Sequence, residues 1–558
     1  MELTWIDFAV FVAFLAVVMT VSMRAARNDK DSIDYFLAGR SLPFWLIGFS
    51  LIASNISTEH FVGMAGSAYG RVGLAIASYE WMAAVTLVIV ALFFLPRFLQ
   101  AGICTMPEFL EYRYDRGART IMAVYLLAAY VIVFLATVLY SGAVALVAVF
   151  DLPGIIEARL GLSPEDASFW AMVGSIWAIG LGAGVYTIYG GLKAVVWSDL
   201  LQGGALLLGG AIVLFLGLQK LGEGDVLAGW SSLLEGSADK LHTVLPWDDP
   251  DVPWLAVFVG GLWIPNLFYW GLNQFITQRT LGAKSLAEGQ KGIFLAAGIK
   301  LLIPFLIVFP GILAFRLYGD SIANGDAAYP TLMREILPPS LRGILFAALA
   351  GAVMSSFNSG INSASTIFTV DLWVRYVDRE ASPRKQVKVG RISTAIIIVV
   401  ACLWAPVISR FEGVFAYIQE IWGFISPSIV AVFVVGLIVK RAPPVAARGA
   451  LLLGVLLYAL CRIPKWIWDA GFATPDEIVP PEGLFGLVYA FNSLAFLHHM
   501  GIVFLVLVGF MLVVTRLRPL AEPRTLPVSG IDVTPLPSRF VWAGAIVVAT
   551  AGLYVAFW

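Results

Sequence analysis

Apolar runs of about 18–30 residues recur along the whole chain, each long enough to cross a bilayer as a helix. They lie near 5–23, 43–69, 73–98, 119–149, 167–188, 193–219, 254–280, 290–317, 342–374, 389–409, 414–439, 447–464, 487–515 and 540–557. This pattern predicts an all-α integral membrane protein with about 14 transmembrane helices. Composition agrees, since 59% of the 558 residues are hydrophobic and only 13% are charged, against about a quarter charged in soluble domains. The connections are short except 220–253, 318–341 and 465–486, which carry Pro, Gly and acidic residues.

Charge distribution orients the helices. Of the 36 Lys and Arg residues, 25 fall in alternate connections on one side and 10 on the other. Basic residues mark the inward side, so both termini are expected outside. Trp5–Met23 lacks a basic flank before it and reads as a retained first helix rather than a cleaved leader. A net charge of −1 argues against a nucleic-acid partner. Cys104, Cys402 and Cys461 lie far apart without metal or redox spacing and read as packing residues. Neither GxxxxGK[ST] nor HExxH occurs, so no nucleotide-driven pump or zinc protease is signalled. The one N-x-S/T sequon, Asn55-Ile56-Ser57, lies inside an expected span, which favours a bacterial protein; its expected location is the inner cell membrane.

Some residues do not belong in hydrocarbon. The stretch SNISTEHFVGMAG at 54–66 packs polar side chains from Ser54 to His60 into the second run, with Gly63 and Gly66 just after. The seventh run holds GLWIPNLFYWGLNQ, with Pro265 near its centre. Two interrupted helices five apart suggest a five-plus-five inverted repeat, with a transport site at the breaks. Glu80 and Lys300 lie deep in the third and eighth runs, where a charge costs roughly 2.5–3.5 kcal/mol on insertion scales. One acid and one base facing a cavity leave it near neutral, which suits a substrate rich in hydroxyls.

Helical spacing groups the remaining candidates. Asn266, Tyr269 and Trp270 share a face of the seventh helix; Phe415 and Gln419 share one on the eleventh, ahead of an expected break at GFISPS. Ala352, Ser355 and Ser356 share a face of the ninth. Asn55, His60, Glu80, Asn266, Lys300 and Gln419 supply donors and acceptors for sugar hydroxyls, and Tyr269 a flat ring. A sodium ion wants hard oxygens; unwound carbonyls at Ala53 and Ile56, the carbonyl of Ala352 and the hydroxyls of Ser355 and Ser356 offer five.

With these residues in place the chain resembles the solute/sodium symporter family, in its sodium/glucose (galactose) cotransporter branch. The resemblance is carried by FLAGRSLPFW, SNISTEHFVGMAGSAYG, GLAIASYEWM, TMPEFLEYRY, IYGGLKAVVWSDLLQ, GLWIPNLFYWGLNQFITQRTLGAKS, MSSFNSGINSASTIFTVDL and FAYIQEIWGFISPS. It implies the inverted-repeat fold named for the leucine transporter. Residues 1–42 are then a flanking helix and cytoplasmic loop, 43–219 the first repeat, 220–253 an extracellular loop, 254–440 the second repeat and 441–558 further flanking helices. By the resemblance, Asn55, His60, Glu80, Asn266, Lys300 and Gln419 contact sugar. Tyr269, with Trp270 beside it, resembles an inner gate; Met64, Tyr79 and Phe415 resemble an outer one. Sodium falls on Ala53, Ile56, Ala352, Ser355 and Ser356, with Asp199 on its release route. His60 and Ala83 lean toward glucose, and Asn358-Ser359 departs from the Thr-Ser of two-sodium members.

The function expected is a sodium-coupled symporter importing a neutral hexose, glucose or galactose, by alternating access, with no cofactor beyond the coupling ion. The alternatives are a symporter for another polyol such as inositol, or a sodium-dependent sugar sensor with little transport. A single-file channel has no need of a Lys–Glu pair. A membrane enzyme needs a nucleophile with a base beside it, which His498-His499 lacks.

Overall fold

The computed structural model describes residues 5–25, 32–150, 152–322, 325–410, 414–472 and 479–558. Regular structure among them is helical, apart from two isolated β-bridges. We number the long helices in chain order: α1 Trp5–Ala25, α2 Phe44–Asn55 continued by His60–Met64 and Ala65–Tyr69, α3 Gly73–Ala101, α4 Arg116–Val147, α5 Pro164–Val185, α6 Gly191–Leu221, α7 Trp254–Leu272, α8 Leu286–Tyr318, α9 Leu341–Tyr376, α10 Pro383–Ile408, α11 Ile418–Ile438, α12 Pro444–Asp469, α13 Phe496–Leu517 and α14 Arg539–Ala556. The 12 from α3 onward are long and apolar enough to cross a membrane. The other two expected spans correspond to α1 and to α2, which the break divides.

The interruptions follow local chemistry. In α2 the helix stops at Asn55, Ile56 is extended (ψ 113°), and helix resumes at Thr58. The sequence predicts a break in the seventh helix at Pro265. Pro265 instead sits in the first turn of the segment Trp263–Leu267, where a missing N–H breaks no helical bond. Helix is interrupted between Phe258 and Trp263, just before Pro265, and again at Asn273, which is extended (φ −83°, ψ 121°) before helix resumes over Gln274–Leu281. The expected break at GFISPS is absent: helix runs unbroken from Val414 to Ile438 with Pro427 inside it. Ser428 Oγ, next to the proline, donates to the Ile425 carbonyl at 2.9 Å.

Without a hydrophobic force between helices in lipid, close approach of backbones holds a bundle together. Gly203 on α6 faces Ala53 so closely that a Cβ would come within 2.5 Å of the Ala53 Cβ. This contact brings Asp199, one turn earlier, against α2. Gly191 has φ +51° and links α5 to α6; only glycine adopts that conformation without strain, and a Cβ there would meet the Tyr35 carbonyl at 2.3 Å. The half-helices Phe44–Asn55 and Gln274–Leu281 pack together, pinned where the Leu42 N–H donates to the Gly282 carbonyl at 3.1 Å.

The end of the chain belongs to the same side as the 220–253 connection, because the Thr243 N–H donates to the Phe557 carbonyl at 2.9 Å. The opposite side is crossed by the segment between α13 and α14, where the Ser529 N–H reaches the Gln100 carbonyl at 2.7 Å and the Leu286 N–H reaches that of Asp532 at 2.9 Å. His498 and His499 act as bundle contacts: each places Nε2 on a backbone carbonyl, of Trp247 at 3.0 Å and Phe491 at 2.9 Å.

Candidate functional site

The break in α2 exposes polar backbone and places its side chains between α3, α7, α8 and α11. They open on a cavity of about 820 Å³, counted out to solvent. Asn55, His60, Glu80 and Asn266 line it, as do Tyr269, Trp270 and Gln419. Met64 and Tyr79 line it too. The expected outer-gate residue Phe415 lies outside the residues whose side chains the structure describes.

Lys300, expected to contact sugar, is not among the residues lining the cavity and braces one wall from behind. Its ammonium donates to Glu80 Oε2 and to Asn55 Oδ1, and lies over the Trp270 ring 4.9 Å from its centre. The lysine is fully buried, so the carboxylate, the amide oxygen and the ring face replace its water. Asn55 in turn donates through Nδ2 to the Tyr269 hydroxyl at 3.0 Å. Tyr269 is held edge-on against Phe275, with ring centres 5.4 Å apart. His60 places Nε2 3.5 Å from Glu80 Oε1, while its Nδ1 faces the Ser57 N–H at 3.5 Å. Six residues from four helices thus form one network. Across the cavity, Asn266 Nδ2 is buried with no partner among the described residues, a donor left for a bound molecule.

A second cluster lies beneath, where α9 meets the end of Phe44–Asn55. Ser355 Oγ donates to Asp199 Oδ1 at 2.6 Å and lies 3.2 Å from the Ala53 carbonyl. Ser356 Oγ lies 3.3 Å from the Ser54 carbonyl, one residue from the Ala53 group expected to share its ion. Ile56 and Ala352 are buried at this junction. Carbonyls and hydroxyls on two helices are the hard-oxygen set a small cation needs.

Asp199 is more central than a release route suggests. Besides Ser355 it accepts from Ser50 Oγ at 2.5 Å, Ser54 Oγ at 3.1 Å and the Arg279 guanidinium at 3.1 Å. Sequence reasoning misses Arg279, which counts there among the inward-loop cations; it is fully buried on Gln274–Leu281. Its guanidinium also donates to Ser50 Oγ at 2.7 Å and to Ser359 Oγ. The signal available is its place in NQFITQRT, too close to the broken helix to be a solvated loop. Glu59, to which the sequence assigns no role, also lines the cavity.

Residues 35–457 match the sodium:solute symporter family. A sodium/glucose cotransporter of Vibrio parahaemolyticus is 42% identical over 474 residues, covering 81% of this chain and 83% of its own. An uncharacterized symporter of Escherichia coli (strain K12) is 39% identical, covering 80% and 77%. A sodium/myo-inositol cotransporter 2 of Oryctolagus cuniculus is 34% identical, covering 84% and 72%. Among solved structures, a substrate-bound, outward-open Na+-coupled sialic acid symporter superposes with a TM-score of 0.73 at 21% identity, over 94% of this chain and 99% of that one. That likeness identifies the fold as the leucine-transporter type.

Proposed function

The chain belongs to the sodium:solute symporter family, and on that premise we propose that it couples inward sodium flow to uptake of a neutral hexose, glucose or galactose. As a member it is a multi-pass sodium–solute carrier rather than an enzyme. The finer reading rests chiefly on Lys300, which holds Glu80 and Asn55 together in the cavity. The Glu80–Lys300 pair is internally neutral, so it attracts no ionic ligand; Glu80 presents an acceptor to the cavity and Asn266 Nδ2 an unused donor. Hydroxyls that both donate and accept fit that wall, while Trp270 and Tyr269 supply apolar faces for a sugar ring.

Sodium is assigned to Ala53, Ile56, Ala352, Ser355 and Ser356. The break in α2 joins the two sites, because Ala53 and Asn55 lie two residues apart on one stretch of chain: an ion ordering the carbonyl end also orders the amide that holds Lys300. Tyr269 closes the inner side through Asn55, and Met64 with Tyr79 and Phe415 the outer. Transport follows by rocking of one repeat against the other around this site. In this topology all fourteen helices cross, both termini face outside, 43–219 and 254–440 are the repeats, and the inner cell membrane holds the protein.

The test is uptake of radiolabelled hexoses into proteoliposomes with and without a sodium gradient. Sodium-dependent accumulation of glucose or galactose is expected. Accumulation of myo-inositol alone would support the polyol reading, which the similarity to the rabbit carrier favours. Sodium-dependent binding without flux would make the protein a sensor.

A further inference from the structure

The carboxyl of Glu59 differs from that of Glu80 in one respect: nothing among the described residues balances it. Both line the cavity. Lys300 is committed to Glu80. His60 turns Nε2 to Glu80 and presents Nδ1 to the Ser57 N–H, so both ring nitrogens are directed away from Glu59. Oε1 of Glu59 is buried and has no hydrogen-bond partner among the described residues. None of the described residues lining the cavity is a Lys or Arg that could serve it. Its backbone N–H is held by Ser57 Oγ at 3.3 Å, which fixes the residue without engaging the acid.

A half-buried carboxylate with one oxygen out of water and no counter-charge is costly, and a cation brought to it recovers part of that cost. We propose that Glu59 is an ammonium subsite, so that the cavity takes amino sugars as well as neutral hexoses. An amino sugar keeps the hydroxyls that suit Glu80 and Asn55, and replaces one of them by a charged donor. At Glu80 such an ammonium meets an acid already paired and a lysine that repels it. At Glu59 it meets an acid with neither. The preference is therefore confined to one ring position. This inference rests on the assignment of the cavity as a sugar site.

The test is competition against sodium-dependent uptake of labelled glucose by the full-length protein in proteoliposomes. Competitors are paired glucose analogues in which the same hydroxyl is replaced by hydrogen or by an amine, at a pH where the amine is protonated. At one position the amine should compete at least about tenfold better than the deoxy analogue, the scale of a hydrogen bond to a charged group. Glu59→Gln, which keeps the shape but not the charge, should abolish that preference. A wild-type series with no preferred position overturns the proposal, as does a preference that survives in Glu59→Gln. Should Glu59→Gln fail to reach the membrane, the wild-type series decides alone. If glucose itself is not carried, the hexose reading fails separately. The same analogue pairs are then compared by thermal stabilisation of the purified protein, where the absence of a preferred position, or its survival in Glu59→Gln, again overturns the proposal.

Discussion

Arg279 donates to Asp199 Oδ2 at 3.1 Å, with both side chains fully buried. The pair ties the half-helix after the α7 break to α6, and Asp199 carries the tie on to Ser355 of α9. The serine expected to ligate sodium, the acid beside it and the half-helix that follows Tyr269 therefore share one hydrogen-bond system.

Removing one partner of a buried pair typically costs about 3–5 kcal/mol, because the other is left uncompensated. Arg279→Met should therefore sharply lower the melting temperature of the detergent-solubilised protein. Combining it with Asp199→Asn should recover part of the loss, as both charges then go together. A double variant no more stable than the single one would show that the guanidinium acts through Ser50 and Ser359 instead.

In the cavity, Lys300→Ala leaves Glu80 without its cation, and Glu80→Gln leaves Lys300 without its anion. Truncating one member of a buried charged pair costs about 2–5 kcal/mol or more, so hexose uptake should fall at least about thirtyfold in either. Lys300→Ala transporting at near wild-type rate and affinity would falsify the assignment of this wall to sugar.

The two serines of α9 should differ. Ser355 serves both Asp199 and the Ala53 carbonyl, whereas Ser356 meets the Ser54 carbonyl at 3.3 Å. Each Ala variant should raise the sodium concentration for half-maximal uptake, Ser355→Ala by the larger factor, roughly tenfold or more for loss of a bond to a charged group. Unchanged sodium dependence in both would move the ion elsewhere or point to proton coupling.

Sequence makes the cavity wall legible because its residues violate the solvent: Glu80 and Lys300 stand alone in apolar runs, and the Ser54–His60 stretch interrupts another. The same contrast fails for Arg279. It follows Asn273, where the local sequence is polar enough to pass for a loop, and only the packing of Gln274–Leu281 on Phe44–Asn55 buries it. Pro265 misleads in the opposite way. A proline signals a break only inside a helix, and the chain starts a new helical segment two residues before it. Pro427 shows that even an internal proline need not end a membrane helix.

On the terminal-side face, Arg71 clamps Asp249 and Asp251 at 2.5 Å each, joining the end of α2 to the 220–253 connection. Burial pushes the Asp249 carboxyl up, but the Arg71 guanidinium and the N–H groups of Val252 and Asp251 outweigh it, so it sits below its ordinary value. A depressed acid contributes its stabilisation above its unfolded pKa, about 3.9, and loses it as pH falls through the lower folded value. Protease access to this connection should therefore stay constant between about pH 5 and 8 and rise only below about pH 4. Arg71→Gln should raise access throughout the neutral range; equal access in both proteins would show that the clamp does not hold the connection.

The last prediction concerns how many ions accompany each sugar. One sodium crossing about 100 mV releases roughly 2.3 kcal/mol, and a tenfold concentration gradient adds about 1.4. Together, about 3.7 kcal/mol supports a sugar gradient of several hundredfold; a second ion would square that ratio. A second site has to be built around Asn358, Ser359 and Asp199. Ser359 Oγ already accepts from the Arg279 guanidinium and donates to the Ser355 carbonyl at 2.7 Å. Asp199 is shared among Arg279 and three serines. An ion placed between them would displace these bonds and face a fixed positive charge in a low-dielectric interior. One sodium per sugar is therefore expected, read as the reversal potential in vesicles with opposed sodium and sugar gradients. A ratio near two would mean that the guanidinium moves aside during transport, and Asn358→Ala would then be the variant that returns the ratio to one.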